Sequence, residues 1–319
     1  MRKNLFTLAA AAVLAVVAAT PAAASGTSYD GIVAFGDSLS DNGNLYRLDG
    51  GTAPPAPYWN GRYSNGPVAV EHMASDLHLG LQDYAFGGAQ TGLGNLGGAA
   101  LNGTGVAGQV GMYASTHGGV ADARSLYVVW AGPNDFFAGT NMFNPTTAPT
   151  AVANIVGDLQ SLYALGARDF LVPLMVDLGL TPSATGAGAP YVAVATQQSA
   201  LYDAELSAAM HQFAATHAGT QMNVFDTPAF FDQESPLLAA QGVNVTQSCF
   251  VAATASLCSN PDQYLFWDGV HPTEVGHTLL GQAFASAVPE PGAVAMMLAG
   301  LALAGVAARR RTAKARAHA

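Results

Sequence analysis

The stretch "IVAFGDSLSDNGN", residues 32–44, opens with four apolar residues and passes directly into a run of small and polar ones. A short uninterrupted apolar run bounded by turn residues reads as a strand buried on both faces. Residues 126–130, 170–176 and 222–225 repeat the pattern, and residues 81–86 repeat it more weakly. Pro173 predicts a strand end or bulge, because proline cannot donate to a sheet ladder. Amphipathic stretches at 67–77, 151–165, 191–215 and 273–287 predict helices between the strands. In the longest of these, Leu201, Leu206 and Met210 are expected to face inward from a helix that covers the sheet, a lid being the alternative. Doubly buried strands alternating with helices imply an α/β chain, a three-layer α/β/α sandwich with a mostly parallel central sheet of about five strands. Sites in such sheets form beyond the carboxyl ends of the strands. Residues 87–108 are rich enough in glycine to read as loop, and 140–150 and 181–190 read as loops rimming a site.

The ends differ from this core. Arg2 and Lys3 precede an apolar run over 5–19 and a small-residue stretch closing at Ser25, so residues 1–25 read as a secretory signal peptide. At the other end, Pro289-Glu290-Pro291-Gly292 is followed by 16 uncharged residues and then by Arg309, Arg310 and Arg311. Residues 288–319 resemble the PEP-CTERM sorting signal of Gram-negative, polysaccharide-producing bacteria. That resemblance implies a membrane sortase-like enzyme acting at the Pro-Glu-Pro segment. A plain tail anchor is the alternative, and either places the domain at 26–287 beyond the inner membrane: periplasm, cell surface or extracellular matrix.

That domain holds four basic and 20 acidic residues, a formal charge of −16. Such a balance argues against nucleic-acid binding and electrostatic docking on anionic lipid. Cys249 and Cys258 stand nine positions apart in an exported chain, which reads as one local disulfide.

The carboxyl-edge loops hold the candidate chemistry. Ser38 lies after the first strand, where it is expected to meet the positive end of a helix. In "DGVHPTEVGH", residues 268–277, Asp268 and His271 are three positions apart. A metal site, a solvated turn, or the acid and base of a distant nucleophile would each fit that spacing. Ser38 makes the third reading concrete: a serine hydroxyl needs a base, and an imidazole needs a carboxylate to hold its tautomer. Two further strand ends offer donors for an oxyanion. Gly87 and Gly88 lie after residues 81–86, and Asn134 lies in Ala131-Gly-Pro-Asn-Asp135 after 126–130.

GDSLSDNGN (36–44), the glycines of YAFGGAQTG (84–92), AGPND (131–135) and DGVHP (268–272) resemble, in order and spacing, the four signature blocks of the GDSL or SGNH hydrolases. YWNGRYSNGP (58–67) and YLFWDGVH (264–271) are similar to the plant-lipase and bacterial lecithinase/haemolysin branch. The resemblance implies a flavodoxin-like SGNH-hydrolase fold with Ser38 as nucleophile. It implies Gly88 and Asn134 as oxyanion donors beside the Ser38 N–H, and Asp268 and His271 completing a triad. Counting from Asp83, where the family usually has Asn, selects Gly88, with Gly87 the alternative. No serine satisfies the G-x-S-x-G elbow of the rival serine-hydrolase architecture.

The expected function is therefore a secreted serine ester hydrolase, carboxylesterase- or lipase-like, working through an acyl-enzyme on Ser38 with no cofactor and no metal. Its expected partners are an ester substrate (lipid, small acyl ester or acylated polysaccharide) and the sorting enzyme. The competing readings are an acyltransferase or polysaccharide deacetylase using the same site, a non-catalytic surface or matrix protein, and a flavodoxin-like nucleotide or flavin binder using the 36–44 loop.

Overall fold

The computed structural model describes residues 29–288. The expected leader at 1–25 and nearly all of the expected sorting segment at 288–319 lie outside the described residues. In chain order the elements begin β1 (Gly31–Gly36), α1 (Asn44–Leu48), α2 (Ala69–Asp76), β2 (Leu81–Asp83), α3 (Val106–Thr116) and β3 (Ser125–Trp130). Next come α4 (Pro133–Phe137), α5 (Thr147–Leu165), β4 (Asp169–Pro173), α6 (Pro182–Ala187), α7 (Ala189–Thr216) and β5 (Gln221–Phe225). The chain continues through α8 (Thr227–Ala240), β6 (Asn244–Ser248), β7 (Phe250–Val251), β8 (Ser256–Leu257), β9 (Tyr264–Phe266) and α9 (Glu274–Ala287).

Five strands form one sheet in the order β2-β1-β3-β4-β5, and every neighbouring pair is parallel. The pleat sends alternate residues to opposite faces. Val33 and Phe35 of β1 join Tyr127, Val129, Phe170 and Val172 in a core covered by α3, α5 and α7. Ile32 and Ala34 join Leu126, Val128, Trp130 and Leu171 in the opposite core, covered by α2 and α9. The central strands β1, β3 and β4 are covered on both faces, which is why they are largely apolar rather than alternating, whereas the edge strands β2 and β5 carry polar, partly exposed residues. β4 ends at Pro173, as the missing N–H requires. The short β2 is prolonged by Tyr84 and Phe86, whose N–H groups donate to Ala34 and Gly36 of β1.

Several local readings are corrected. Helix α3 starts inside the glycine-rich stretch, and a 3₁₀ turn occupies Ala99–Leu101; Gly108 and Gly111 dilute the helical pattern there. Helix α8 carries Pro236 in its interior, and proline speaks against a helix on propensity alone. Residues 181–190 hold α6, begun by Pro182 at a first-turn position and capped by the Thr181 hydroxyl, which accepts from the Ala184 N–H. Helix α5 starts at Thr147, within the expected 140–150 loop. On α7, Leu206 and Met210 are buried, but Leu201 is 39% exposed and Tyr202 takes the inward place. The buried stripe runs Ser199, Tyr202, Leu206, Met210, Phe213, the spacing of one helix face; Leu201 falls off it.

Seven aspartates of the domain, Asp37, Asp41, Asp135, Asp158, Asp169, Asp203 and Asp268, are buried. The surface is accordingly less acidic than the formal charge suggests. Beyond the main sheet, the β7–β8 hairpin is closed by a Cys249–Cys258 disulfide with a Cα–Cα distance of 4.8 Å. No helix among the described residues is long and apolar enough to cross a membrane.

The α7 stripe yields a stability contrast. Leu206→Ala should lower the unfolding free energy by about 2–5 kcal/mol, and Leu201→Ala by less than about 1 kcal/mol. Urea denaturation of the two variants measures the difference, and equal losses would place Leu201 in the core after all.

Candidate active site

At the end of β1 the chain passes too close to β3 for any side chain. A Cβ on Gly36 would lie 2.3 Å from the Trp130 carbonyl oxygen. The buried amide of Gln109 takes up both backbone groups of Gly36. It accepts the N–H at 2.9 Å and donates to the carbonyl at 2.8 Å. The next residues form a tight turn in which the N–H groups of Ser40 and Asp41 donate to the Asp37 carbonyl. Ser38 sits on this turn, 7% exposed. The first helix begins only at Asn44, so Ser38 is not at a helix N-terminus and the helix-dipole expectation is withdrawn.

Asp41 organises the loop. Its carboxylate accepts the N–H groups of Gly43 (2.8 Å), Asn44 (2.5 Å) and Leu45 (3.3 Å). It also accepts, from across the sheet edge, the N–H of Gly87 (2.7 Å). Gly87 is therefore committed elsewhere, whereas no hydrogen bond among the described residues takes up the N–H of Gly88 or of Ser38. Gly88 has φ +77°, and a Cβ there would lie 2.7 Å from Asn95 Oδ1, so glycine is required on both counts. Asn134 is buried in the first turn of α4. Its Nδ2 donates one hydrogen to the Ala89 carbonyl at 2.9 Å, which orients the amide; among the described residues nothing takes up the second hydrogen. Asp135 locks α4 to the glycine loop by accepting the Thr91 N–H (2.9 Å) and hydroxyl (2.8 Å).

From the other end of the chain, His271 Nε2 lies 2.8 Å from Ser38 Oγ. His271 Nδ1 lies 2.7 Å from Asp268 Oδ2 and 2.9 Å from Oδ1. An ionised carboxylate only accepts, so Nδ1 carries the proton and Nε2 is left to accept from the serine hydroxyl. The three-residue spacing has a local cause. Asp268 Oδ1 accepts the N–H groups of Val270 (2.9 Å) and His271 (2.8 Å), folding the stretch back onto the carboxylate.

Burial works against charge on Asp268, but the His271 ring, the Tyr58 hydroxyl and the Val270 N–H prevail and hold its pKa at about 2. Burial also opposes charge on His271, yet Asp268, with a smaller contribution from Asp37, carries its pKa above the ordinary histidine value. Asp37 itself is pushed up to about 7 by burial, against the Leu39 N–H and His271.

All five residues singled out in the sequence come together: Ser38, His271 and Asp268 as one hydrogen-bonded line, Gly88 and Asn134 beside them. Ser38, Gly88, Asn134 and His271 line one cavity of about 730 Å³, whose other walls include Leu45, Leu96, Leu101, Phe137, Val176 and Tyr191. Among the described residues no three His, Cys, Asp or Glu side chains converge as a metal-binding group.

Sequence reasoning missed the supports. The Tyr58 hydroxyl donates to Asp268 Oδ2 at 2.6 Å. Its ring stands edge-on to Phe250 and Trp267 at 5.7 and 6.2 Å. The Tyr63 ring lies 5.1 Å from that of His271. The Ser64 hydroxyl donates to the Pro272 carbonyl at 3.0 Å, and Asn65 Oδ1 accepts the Glu274 N–H at 2.8 Å. Residues 58–67, quoted above only for their resemblance, thus clamp the histidine loop. Their aromatic and amide content was the available signal.

This geometry predicts how His271 titrates, followed through its ring proton shifts by NMR. The wild-type ring should titrate above the ordinary histidine value, and Asp268→Asn should bring it down by removing the stabilising charge. Tyr58→Phe should move it further up, because a carboxylate relieved of a competing donor attracts the imidazolium more strongly. An unshifted ring in Asp268→Asn would contradict the electrostatic account.

The family model for GDSL-like lipase/acylhydrolase matches residues 32–284. The PEP-CTERM protein-sorting motif matches residues 287–311 and indicates export and surface sorting. The thermolabile hemolysin of Vibrio parahaemolyticus is 29% identical over 276 residues, covering 79% of this chain and 62% of that protein. Esterase EstA of Pseudomonas aeruginosa is 28% identical over 341 residues, covering 91% of this chain and 51% of that protein. Phosphatidylcholine-sterol acyltransferase of Aeromonas hydrophila is 27% identical over 329 residues, covering 86% and 94%. The chain thus spans 62% and 51% of the lengths of the first two. With a family model matched over most of its length and the site residues on the loops described, the chain belongs to the GDSL-like lipase/acylhydrolase family.

Proposed function

We propose that the protein is a secreted serine ester hydrolase of the carboxylesterase or lipase type. The observation that carries this is the continuous line Ser38 Oγ–His271–Asp268, with distances of 2.8 and 2.7 Å, ending in a largely apolar cavity. Ser38 Oγ attacks the ester carbonyl as its proton passes to His271 Nε2. The tetrahedral oxyanion is met by the N–H groups of Ser38 and Gly88 and by the second amide hydrogen of Asn134. Collapse breaks the carbon–oxygen bond to the alcohol, whose oxygen takes the proton from His271. Water, deprotonated by the same ring, then releases the acid and restores Ser38. Gly88 rather than Gly87 is the donor in this scheme because Asp41 already holds the Gly87 N–H.

The apolar walls of the cavity suit an acyl chain. Residues 26–287 form the hydrolase domain in this reading, behind a cleaved leader and ahead of the sorting motif. A sortase-like membrane enzyme acting at Pro289-Glu290-Pro291 would then deliver the protein to the cell surface or matrix. A second reading, acyl transfer to an alcohol other than water, uses the same acyl-enzyme. It is favoured by the acyltransferase name of the Aeromonas relative, which this chain matches over 94% of that protein's length.

Two substitutions test the scheme. Ser38→Ala should abolish both hydrolysis of acyl esters and covalent labelling by a fluorophosphonate while leaving the melting curve unchanged. Asn134→Ala should lower kcat by about 10²–10³ with little change in KM, since its amide meets charge that exists only in the transition state. Because His271 must be neutral to act and its pKa is raised, kcat/KM should rise with pH through an ionisation above the ordinary histidine value. Labelling that persists in Ser38→Ala would remove the nucleophile assignment.

A further inference from the structure

A second cavity, of about 320 Å³, lies behind the histidine loop. Its walls include Leu180, Phe231, Val245, Leu265, Phe266 and Leu280. Two features connect it with the reaction centre. Val270 and Pro272, the residues on either side of His271, both line it. Leu39, Val176, Thr181 and Val270 line both cavities, so the two adjoin along these residues. Helix α6 lines both cavities, through Ser183, Ala184 and Ala187 on one side and Thr185 on the other, and its Ser183 N–H donates to the Gly269 carbonyl at 2.9 Å.

We propose that this second cavity binds the alcohol part of the ester, so that the favoured substrates carry an aliphatic chain on the leaving group as well as on the acyl group. The inference rests on the esterase reading and extends it to a substrate class. Its logic is the direction of proton transfer. The leaving oxygen must reach His271 Nε2, so the alcohol departs on the histidine side of the tetrahedral carbon. The carbonyl oxygen points to Gly88 and Asn134, and the acyl chain occupies the larger cavity. On the histidine side, the apolar space available behind Val270 is this one. Its rim selects further: Leu180 is 54% exposed there, offering apolar surface to a chain at the mouth. Asp177 and Asp232 also line the cavity and would repel an anionic headgroup. A neutral aliphatic alcohol satisfies both conditions.

The test holds the acyl group constant and varies the alcohol. Ethyl butyrate and hexyl butyrate are compared below their solubility limits, on the wild type and on two variants that fill the cavity, Val245→Trp and Ser235→Trp. Neither residue belongs to the proposed reaction machinery. Wild-type kcat/KM should favour the hexyl ester by on the order of tenfold or more, as burial of four extra methylenes allows. Each filling variant should bring that ratio towards one while its rate on ethyl butyrate stays near wild type, which also reports that the variant has folded. A second measurement uses hexanol alone, which should inhibit wild-type hydrolysis of ethyl butyrate and lose that effect in Val245→Trp. A wild-type ratio near one, or hexanol inhibition that survives both substitutions, overturns the proposal. A wild type inert on both esters overturns the esterase reading itself, and this inference with it.

Discussion

The carboxylate of Asp41 is the interaction on which the geometry of the site depends. It is buried, and burial raises its pKa against the four backbone N–H groups that favour the charged form. Three of those donors come from its own loop and the fourth is Gly87, 46 residues away. Neighbouring ties reinforce the join. Asn44 Nδ2 donates to the carbonyls of Asp83 and Ala85, and Asp83 accepts the Asn42 N–H. Leaving such donors unpaired in the interior costs about 1–3 kcal/mol each. The turn bearing Ser38 and the loop bearing Gly88 are thereby held as one piece, and among the described residues no hydrogen bond takes up the N–H groups of Ser38 and Gly88, two residues that line the cavity.

The histidine is positioned by separate means. Helix α9, which follows it, lies against α2, and residues 58–67 grip the loop from the other side. The disulfide-closed hairpin supports Phe250, which stacks on Trp267 at 5.9 Å; Tyr58 meets both rings and reaches Asp268. The two assemblies are built from different interactions and meet at the hydrogen bond between Ser38 and His271. Precision at that junction comes from rigidity on each side rather than from the junction itself.

Much of this was legible in the sequence because the relevant signals are local. A parallel sheet buried on both faces writes itself as apolar runs, and the loops after those runs carried the site residues in short blocks. What escaped was either diluted or distant. Gly108 and Gly111 blurred α3, and Pro236 blurred α8. Leu201 and Tyr202 are adjacent in sequence, and only packing decides which of them turns inward. The partnership of Tyr58 with Asp268 spans 210 residues, and no local pattern encodes it. The choice between Gly87 and Gly88 was open for a similar reason: it turns on which N–H a distant aspartate has already taken. Seven buried aspartates likewise made the formal charge a poor guide to the surface.

Ser38 and His271 are separated by 233 positions, and Asp268 and the helix that seats the histidine come near the end of the chain. A polypeptide emerging amino-terminus first therefore presents its serine long before it possesses a base. Until the last tenth of the domain has been synthesised and docked, the Ser38 hydroxyl has no imidazole beside it. In the proposed scheme the reaction centre is therefore assembled only when that segment has docked, and the order of the elements along the chain alone sets this sequence of events.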